Sequence, residues 1–368
     1  MHFVIFGLTL SSSWGNGHAT LWRGLLKALS ARGHTAVFYE KDVSYYRDTR
    51  DGWEPPEGVC LRLYAELTDH ISEVNRELED AEAGIVTSYC PDGSFVSRLL
   101  LESPARLKVF YDLDTPITLD AVRCGVPVTY LPEGSLSAFD LVLSYTGGRA
   151  LDELQSRLGA QRVAPLYGWV DPQIHCPAEP VEEFRSSLSY LGTYAADRQR
   201  TLVELFVEPA RVRPRDRFVV GGAQYPQDFP WTSNIFFVRH LPPWLHPAFF
   251  CSGRVTLNVT RRAMADYGFC PSGRLFEAAA CGTPIITDTW DGLDTFFHPG
   301  TEILPVSNSA EVLQALSLSD AELFLIGQAA RERTLAEHTA TCRAEELERI
   351  LESTYDGDLK SALTAQYH

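Results

Sequence analysis

The chain lacks the basic charge that a nucleic-acid partner demands. Acidic residues outnumber basic ones by 48 to 32 over 368 residues, a formal net charge of −16. Phosphate backbones need a basic surface, so nucleic acid is excluded as a general partner, and broad adhesion to anionic membranes is disfavoured. Metal-ligand spacing is missing too. The eight cysteines are scattered, with no Cys-x-x-Cys pair and no zinc-type cluster, and their mostly apolar contexts point to buried thiols in a reducing cytoplasm. The apolar start, Phe3 to Leu10, has no basic flank and is too short to cross a bilayer. It reads as a first strand rather than a signal peptide, and no transmembrane segment is expected. There is no short-period repeat and no low-complexity segment. One local exception to the acidic balance, Arg211-Val-Arg-Pro-Arg-Asp-Arg217, reads as a solvated loop before a strand, with an acceptor or lipid contact as the other reading.

What the chain does have is the composition of a soluble globular protein, 45% hydrophobic and 22% charged, at a length that allows two domains with their own cores. Short apolar runs alternate with helix-length segments. In the first half the expected strands are Phe3–Leu8, Thr35–Tyr39, Val59–Tyr64, Gly84–Ser88, Leu107–Asp112, Leu141–Tyr145 and Val163–Leu166. The rhythm means parallel sheets with helices on both faces. It breaks at Leu166-Tyr-Gly-Trp-Val-Asp-Pro-Gln-Ile-His-Cys-Pro177, whose punctuation suits an interdomain linker. It resumes with Leu188–Leu191, Phe218–Gly221, Ile235–Val238, Val255–Val259, Ile285–Asp288 and Ile303–Val306, then helical segments from Asp320 to Thr354. The expected organisation is an α/β protein of two Rossmann-like domains, 1–168 and 169–350, with a last helical segment over 351–368. Ligands of open parallel sheets bind beyond the carboxyl ends of the strands, so two such sheets face to face would enclose a cleft.

The most informative stretch is Cys270-Pro-Ser-Gly-Arg-Leu-Phe-Glu277-Ala-Ala-Ala-Cys-Gly282-Thr-Pro. Ser272 is a good N-cap, Gly273 to Cys281 reads as a short helix, and Gly282 sits where a left-handed C-terminal cap is expected. The helix start offers free N–H groups and a partial positive charge to a phosphate, and Arg274 adds a full charge in the first turn. Glu277 lies one turn on and leans back toward the same mouth. A carboxylate there repels phosphate but accepts two hydrogen bonds from a ribose diol, which suits a nucleotide sugar. The other reading is an ordinary capped helix between a loop and a strand.

This stretch resembles the donor-site helix of glycosyltransferases of the GT-B architecture. Together with Tyr190-Leu-Gly-Thr-Tyr-Ala-Ala-Asp-Arg198-Gln, Val238-Arg-His-Leu-Pro-Pro243, Leu257-Asn-Val-Thr-Arg261 and Gly292-Leu-Asp-Thr-Phe-Phe297, it is similar to the CgeB-type spore-maturation glycosyltransferases. The likeness is dense from about Ser187 to Leu304 and thin before Val163. It implies a cytoplasmic transferase with an acceptor-side N-terminal domain, a donor-side C-terminal domain, and a last helix that crosses back. It implies a nucleoside-diphosphate sugar as donor, with no metal or other cofactor, and a small-molecule or glycan acceptor.

The resemblance makes the loop after Leu188–Leu191, with Tyr194 and Arg198, a basic contact to the diphosphate; an exposed Arg198 paired with Asp197 or Glu204 is the alternative. Asn258 and Arg261 end a strand and should open toward the same cleft, unless Asn258 is satisfied inside the strand end. His240 lies where relatives hold the nucleobase, mostly through backbone. Many retaining relatives carry two glutamates separated by seven residues, the second at the place of Glu277; the first position here is Phe269.

In the first half, Ser11-Ser-Ser-Trp-Gly15-Asn-Gly17-His18-Ala follows strand one and opens a helix. Gly17 lets a substrate approach the backbone, and His18 is a candidate general base for the acceptor hydroxyl. The loop is similar to the Gly-rich, His-bearing loop of peptidoglycan and diacylglycerol sugar transferases. It fails the dinucleotide Gly-x-Gly-x-x-Gly pattern because Thr20 holds the third position. Tyr111-Asp112-Leu-Asp114-Thr115-Pro116 ends a strand with two carboxylates that alternation should point the same way. Asp114 is a candidate for acceptor binding or base catalysis, with helix capping as the other reading. Three functions stay side by side at this level: a transferase, a nucleotide-sugar epimerase, and a non-catalytic sugar-nucleotide-binding protein.

Overall fold

Continuous apolar runs such as Phe3-Val-Ile-Phe6, all four fully buried, have no polar face and so become central strands covered on both sides. A computed structural model describes residues 1–15, 17–132 and 135–365. The chain forms two compact units, one of Met1–Tyr167 with Ala340–His368 and one of Gly168–Thr339.

The first unit holds β1 (His2–Gly7), β2 (Thr35–Lys41), β3 (Val59–Tyr64), β4 (Ala83–Thr87), β5 (Lys108–Asp112), β6 (Leu141–Ser144) and β7 (Val163–Pro165). They make one parallel sheet in the order β3-β2-β1-β4-β5-β6-β7, in which Val4 pairs with Val37 on one side and Gly84 on the other. A side chain at Gly84 would lie 2.2 Å from Leu100, so glycine is what lets helix Gly93–Glu102 pack onto the sheet.

The second unit holds β8 (Leu188–Leu191), β9 (Phe218–Gly222), β10 (Ile235–Arg239), β11 (Thr256–Asn258), β12 (Ile285–Asp288) and β13 (Leu304–Val306). Its parallel order is β10-β9-β8-β11-β12-β13. Its core gathers Leu188, Tyr190, Phe206, Phe218, Val220 and Leu257. In each sheet the winding reverses once, between β1 and β4 and between β8 and β11, and those switch points are where open sheets of this kind take ligands.

The second unit ends at Thr339, not at the 350 expected from the sequence, and the final helix belongs to the first unit from its start. The break falls between helix Asp320–Glu337 and the long helix Ala340–Ala365. The latter buries Ala344, Leu347 and Leu351 at helical spacing, while Glu348 accepts from Arg32 and His34 just past helix His18–Ala31. The basic run 211–217 is spent on structure: Arg213 donates to the Leu313 and Leu316 carbonyls, and Arg217 stacks 3.8 Å over Phe236. The cysteines are less buried than expected, with Cys60 and Cys124 exposed and only Cys90, Cys270 and Cys281 fully buried. Among the described residues no helix is long and apolar enough to cross a membrane.

Candidate active site

In the first unit a buried acid shapes the loop after β1. Glu40, at the end of β2, accepts hydrogen bonds from Leu10 N (2.6 Å), Ser11 N (2.8 Å), Ser11 Oγ (2.6 Å) and Thr9 Oγ1 (3.1 Å). Four donors compensate a carboxylate that has no contact with solvent. The loop then turns at Gly15, whose φ of +70° favours glycine, and enters helix His18–Ala31 through Gly17 as N-cap. Nothing lies within 4 Å of where a Gly17 side chain would begin, so the helix mouth is open there. Asn16 lies outside the described residues.

His18 is the first helical residue, and its Nε2 lies 3.1 Å from Asp114 Oδ2. The two candidates, 96 residues apart in the chain, thus form one pair. Its Nδ1 is buried and has no hydrogen-bond partner among the described residues. The ring also meets Tyr89 edge-on at 5.7 Å between centroids. Tyr89 follows β4 and holds a left-handed backbone, φ +61°, which is costly for an aromatic residue. Loops after β1 and β4 therefore bring His18 and Tyr89 together at the switch point, and the loop after β5 adds Asp114.

Asp112 and Asp114 do not point the same way. Asp112 ends β5 fully buried and accepts the Asp114 backbone N–H at 3.0 Å, whereas Asp114 has left the strand and stands at the N-cap of helix Thr115–Arg123 without a side-chain capping bond. Alternation stops where the strand stops. Burial raises the Asp112 carboxyl to about 6.

In the second unit Arg198 is buried, 6% exposed, and not the surface residue of the alternative reading. Asp197 pairs with Arg261 instead, at 3.1 Å, and Glu204 accepts from Ser309 N. Arg198 donates to the Thr193 carbonyl and Arg274 to the Leu191 carbonyl, so both guanidinium groups meet at the carboxyl end of β8. A side chain at Gly192 would lie 2.6 Å from Arg274 Nη1 and 3.1 Å from Arg198 Nη2. Among the described residues neither has a carboxylate within ion-pair distance. Burial first, and Arg274 next, lower the Arg198 pKa. The lip is completed by Tyr225, whose hydroxyl donates to the Gly192 carbonyl at 3.1 Å, and by Tyr194, which meets the Tyr225 ring at 5.8 Å.

Helix Gly273–Ala280 forms as the sequence reads, one residue shorter, and its end is closed by Gly282 at φ +75° with Thr283 N bonded to Ala278 O at 3.1 Å. Ser272 occupies the N-cap but makes no side-chain capping bond. Glu277 is aimed at His246, with Oε2 3.9 Å from Nδ1. Asn258 is 3% exposed and donates to Thr287 Oγ1 at 3.0 Å from β11, which lies between β8 and β12, while its buried Oδ1 has no hydrogen-bond partner among the described residues. His240 is exposed at φ +51°, and its N–H is already given to the Gly222 carbonyl at 2.8 Å. Phe269, at the place of the absent glutamate, holds φ +44° and donates its N–H to Asp291 O.

Sequence reasoning missed Glu40 and Tyr89. The signal for Glu40 was an acid ending an apolar strand; for Tyr89 it was only position, at the end of β4, which needs the strand order to interpret.

Residues 198–349 match the model of a family described as glycosyl transferase-like. Among curated proteins no relative matches the sequence. Solved structures similar to the chain include a sucrose-phosphate synthase from Thermosynechococcus elongatus, with TM-score 0.70, 14% identity, and 97% of this chain and 99% of that one covered. Anabaena HepE in complex with UDP and glucose aligns with TM-score 0.66 and 11% identity over 96% of this chain and all of its own. The DNA-modifying β-glucosyltransferase, solved with and without uridine diphosphoglucose, aligns with TM-score 0.63 and 13% identity over 96% and 100%. The chain has the GT-B fold, two Rossmann-like parallel-sheet domains, and carries a glycosyl transferase-like domain over residues 198–349.

Proposed function

We propose that the protein is a glycosyltransferase that moves a sugar from a nucleoside-diphosphate sugar to a hydroxyl acceptor. The observation that carries this reading is the pair Arg198 and Arg274, two guanidinium groups without carboxylate partners at the carboxyl end of β8, beside the switch point. Bringing two like charges together is unfavourable unless an anion of matching charge binds, and a diphosphate with in-plane oxygens fits the arginine fork. Negative charge grows on that diphosphate as the anomeric bond breaks, so fixed cations there lower the barrier. The pair supplies the charge that a divalent ion supplies in metal-dependent transferases. The N–H groups of Gly273 and Arg274 at the helix start, beyond Ser272, add to it, and Glu277 one turn on offers an oxygen to the ribose. Two similar structures hold UDP or uridine diphosphoglucose, which makes UDP-sugars the first donors to test.

The first unit supplies the base. Asp114 fixes one nitrogen of His18 and stabilises the imidazolium that forms, while the other nitrogen is left to take a proton from the acceptor hydroxyl. A base that activates the acceptor directly fits single displacement with inversion. The finer assignment to the CgeB-type transferases rests on the runs between Tyr190 and Phe297, and the free thiols fit a reducing cytoplasm.

Arg198→Ala and Arg274→Ala should each slow sugar transfer at least tenfold, about 1.4 kcal/mol at the transition state. Wild-type rates in both variants would remove them from the site. Incubating the protein with donor alone separates the epimerase reading, since an epimerised donor without acceptor would replace transfer as the reaction. No thermal stabilisation by UDP-, GDP-, dTDP- or CMP-linked sugars would count against the donor site as a whole.

A further inference from the structure

Three metal-competent side chains from separate parts of the second unit converge without satisfying one another. His175 comes from the segment after Asp171, His246 opens helix His246–Ser252, and Glu277 stands on helix Gly273–Ala280. One ligand atom from each lies within 4.8 Å of the other two. The His246–Glu277 approach, 3.9 Å, is beyond hydrogen-bond reach. His175 is 3% exposed, and its buried Nε2 has no hydrogen-bond partner among the described residues. A buried polar nitrogen without a hydrogen-bond partner is destabilising, so the arrangement calls for a further group.

A neutral imidazole with a free lone pair is the form that ligates metals. Two lone pairs facing a carboxylate repel each other until a cation sits among them.

We propose that His175, His246 and Glu277 form a binding site for a divalent ion of the zinc type, with the fourth position left to a non-protein ligand. Magnesium and calcium take oxygen ligands, whereas two imidazoles and one carboxylate are a zinc-type donor set. Zinc bonds of about 2.0–2.2 Å bring tetrahedral ligand atoms to roughly 3.5 Å apart, so side-chain rotation of about 1 Å closes the set. Glu277 has two oxygens, and one on the ion leaves the other for ribose. The site lies one helical turn from Arg274, so an ion would tie the start of the second unit to the helix that carries the diphosphate contact.

The test uses the full chain stripped of metal, titrated with Zn2+ alone by calorimetry and with Co2+ alone by visible absorbance, without nucleotide. Expected are one equivalent of tight binding and an intense tetrahedral Co2+ spectrum, both unaffected by excess Mg2+. Glu277→Gln and His246→Gln should weaken binding by more than the roughly 10–100-fold that outer-shell changes cost. Glu277→Gln is near-isosteric and keeps the test usable if His175→Ala fails to fold, which circular dichroism of the metal-free variants checks. No stoichiometric binding by the wild type, or binding retained in Glu277→Gln and His246→Gln, overturns the site. Because nucleotide is absent, either result leaves the transferase reading to its own test.

Discussion

Arg198 shows how the role of a charged residue depends on which neighbour takes its counter-ion. With Asp197 given to Arg261, the buried guanidinium is left without a carboxylate within ion-pair distance among the described residues. The same logic holds at His18, where Asp114 orients the ring. His18→Ala should lower kcat/KM by about 10²–10⁴-fold, the usual worth of a positioned base. Asp114→Asn should cost less; an unchanged kcat/KM in both variants would show that the pair is structural. Asp112 makes a separate prediction about stability. Its carboxyl is raised from 3.8 to about 6 in the folded protein. The folded state therefore holds a proton between those values that the unfolded chain has released, so stability falls as pH rises through that window. Asp112→Asn should be nearly neutral at pH 4 and gain stability toward pH 7, by up to about 3 kcal/mol. Chemical denaturation at both pH values checks it.

At the level of elements, helix Gly273–Ala280 is held by its end more than by its start. The Ser272 hydroxyl caps nothing, while Gly282 turns the chain back at a left-handed position and exposes its carbonyl to helix Asp320–Glu337. Gly327 of that helix receives it: a side chain there would lie 2.3 Å from the Gly282 oxygen. Replacing a helical glycine by alanine normally gains about 1 kcal/mol. Gly327→Ala should instead lose about 1–3 kcal/mol, because backbone cannot yield as a side chain can. A thermal melt decides the sign. Helix Gly273–Ala280 was legible in sequence because its signals are local: a cap residue, three alanines, a glycine and a proline. Its partner helix was not, since nothing in residues 320–337 marks Gly327 as a contact for Gly282.

The whole chain is two Rossmann-like units, and the first is completed by the last helix. Helix Ala340–Ala365 buries Leu347 and Leu351, each worth about 1.5–3 kcal/mol, against an ordinary domain stability of about 5–15 kcal/mol. A chain stopped after Thr339 should lose the folding transition of the first unit and keep one in the second that nucleotide sugar still stabilises. Two intact transitions in differential scanning calorimetry would show that the helix is dispensable. Every strand read from the sequence is present, most within a residue or two, because a buried parallel strand announces itself as an apolar run bounded by turns. The boundary expected at 350 missed because a helix is read locally, whereas the unit it joins is set by what its apolar face covers.

The sequence alone determined the alternation of strand and helix, the acidic surface, and the helix start with Arg274 and Glu277. All of these are written in residues within a few turns of one another. Only the tertiary structure decided the strand orders and their switch points. It also decided the joining of His18 to Asp114, the release of Arg198 from Asp197, and the meeting of Glu277 with His175 and His246. Each of those depends on a neighbour brought close by sheet pairing rather than by chain distance, and periodicity carries no information about that.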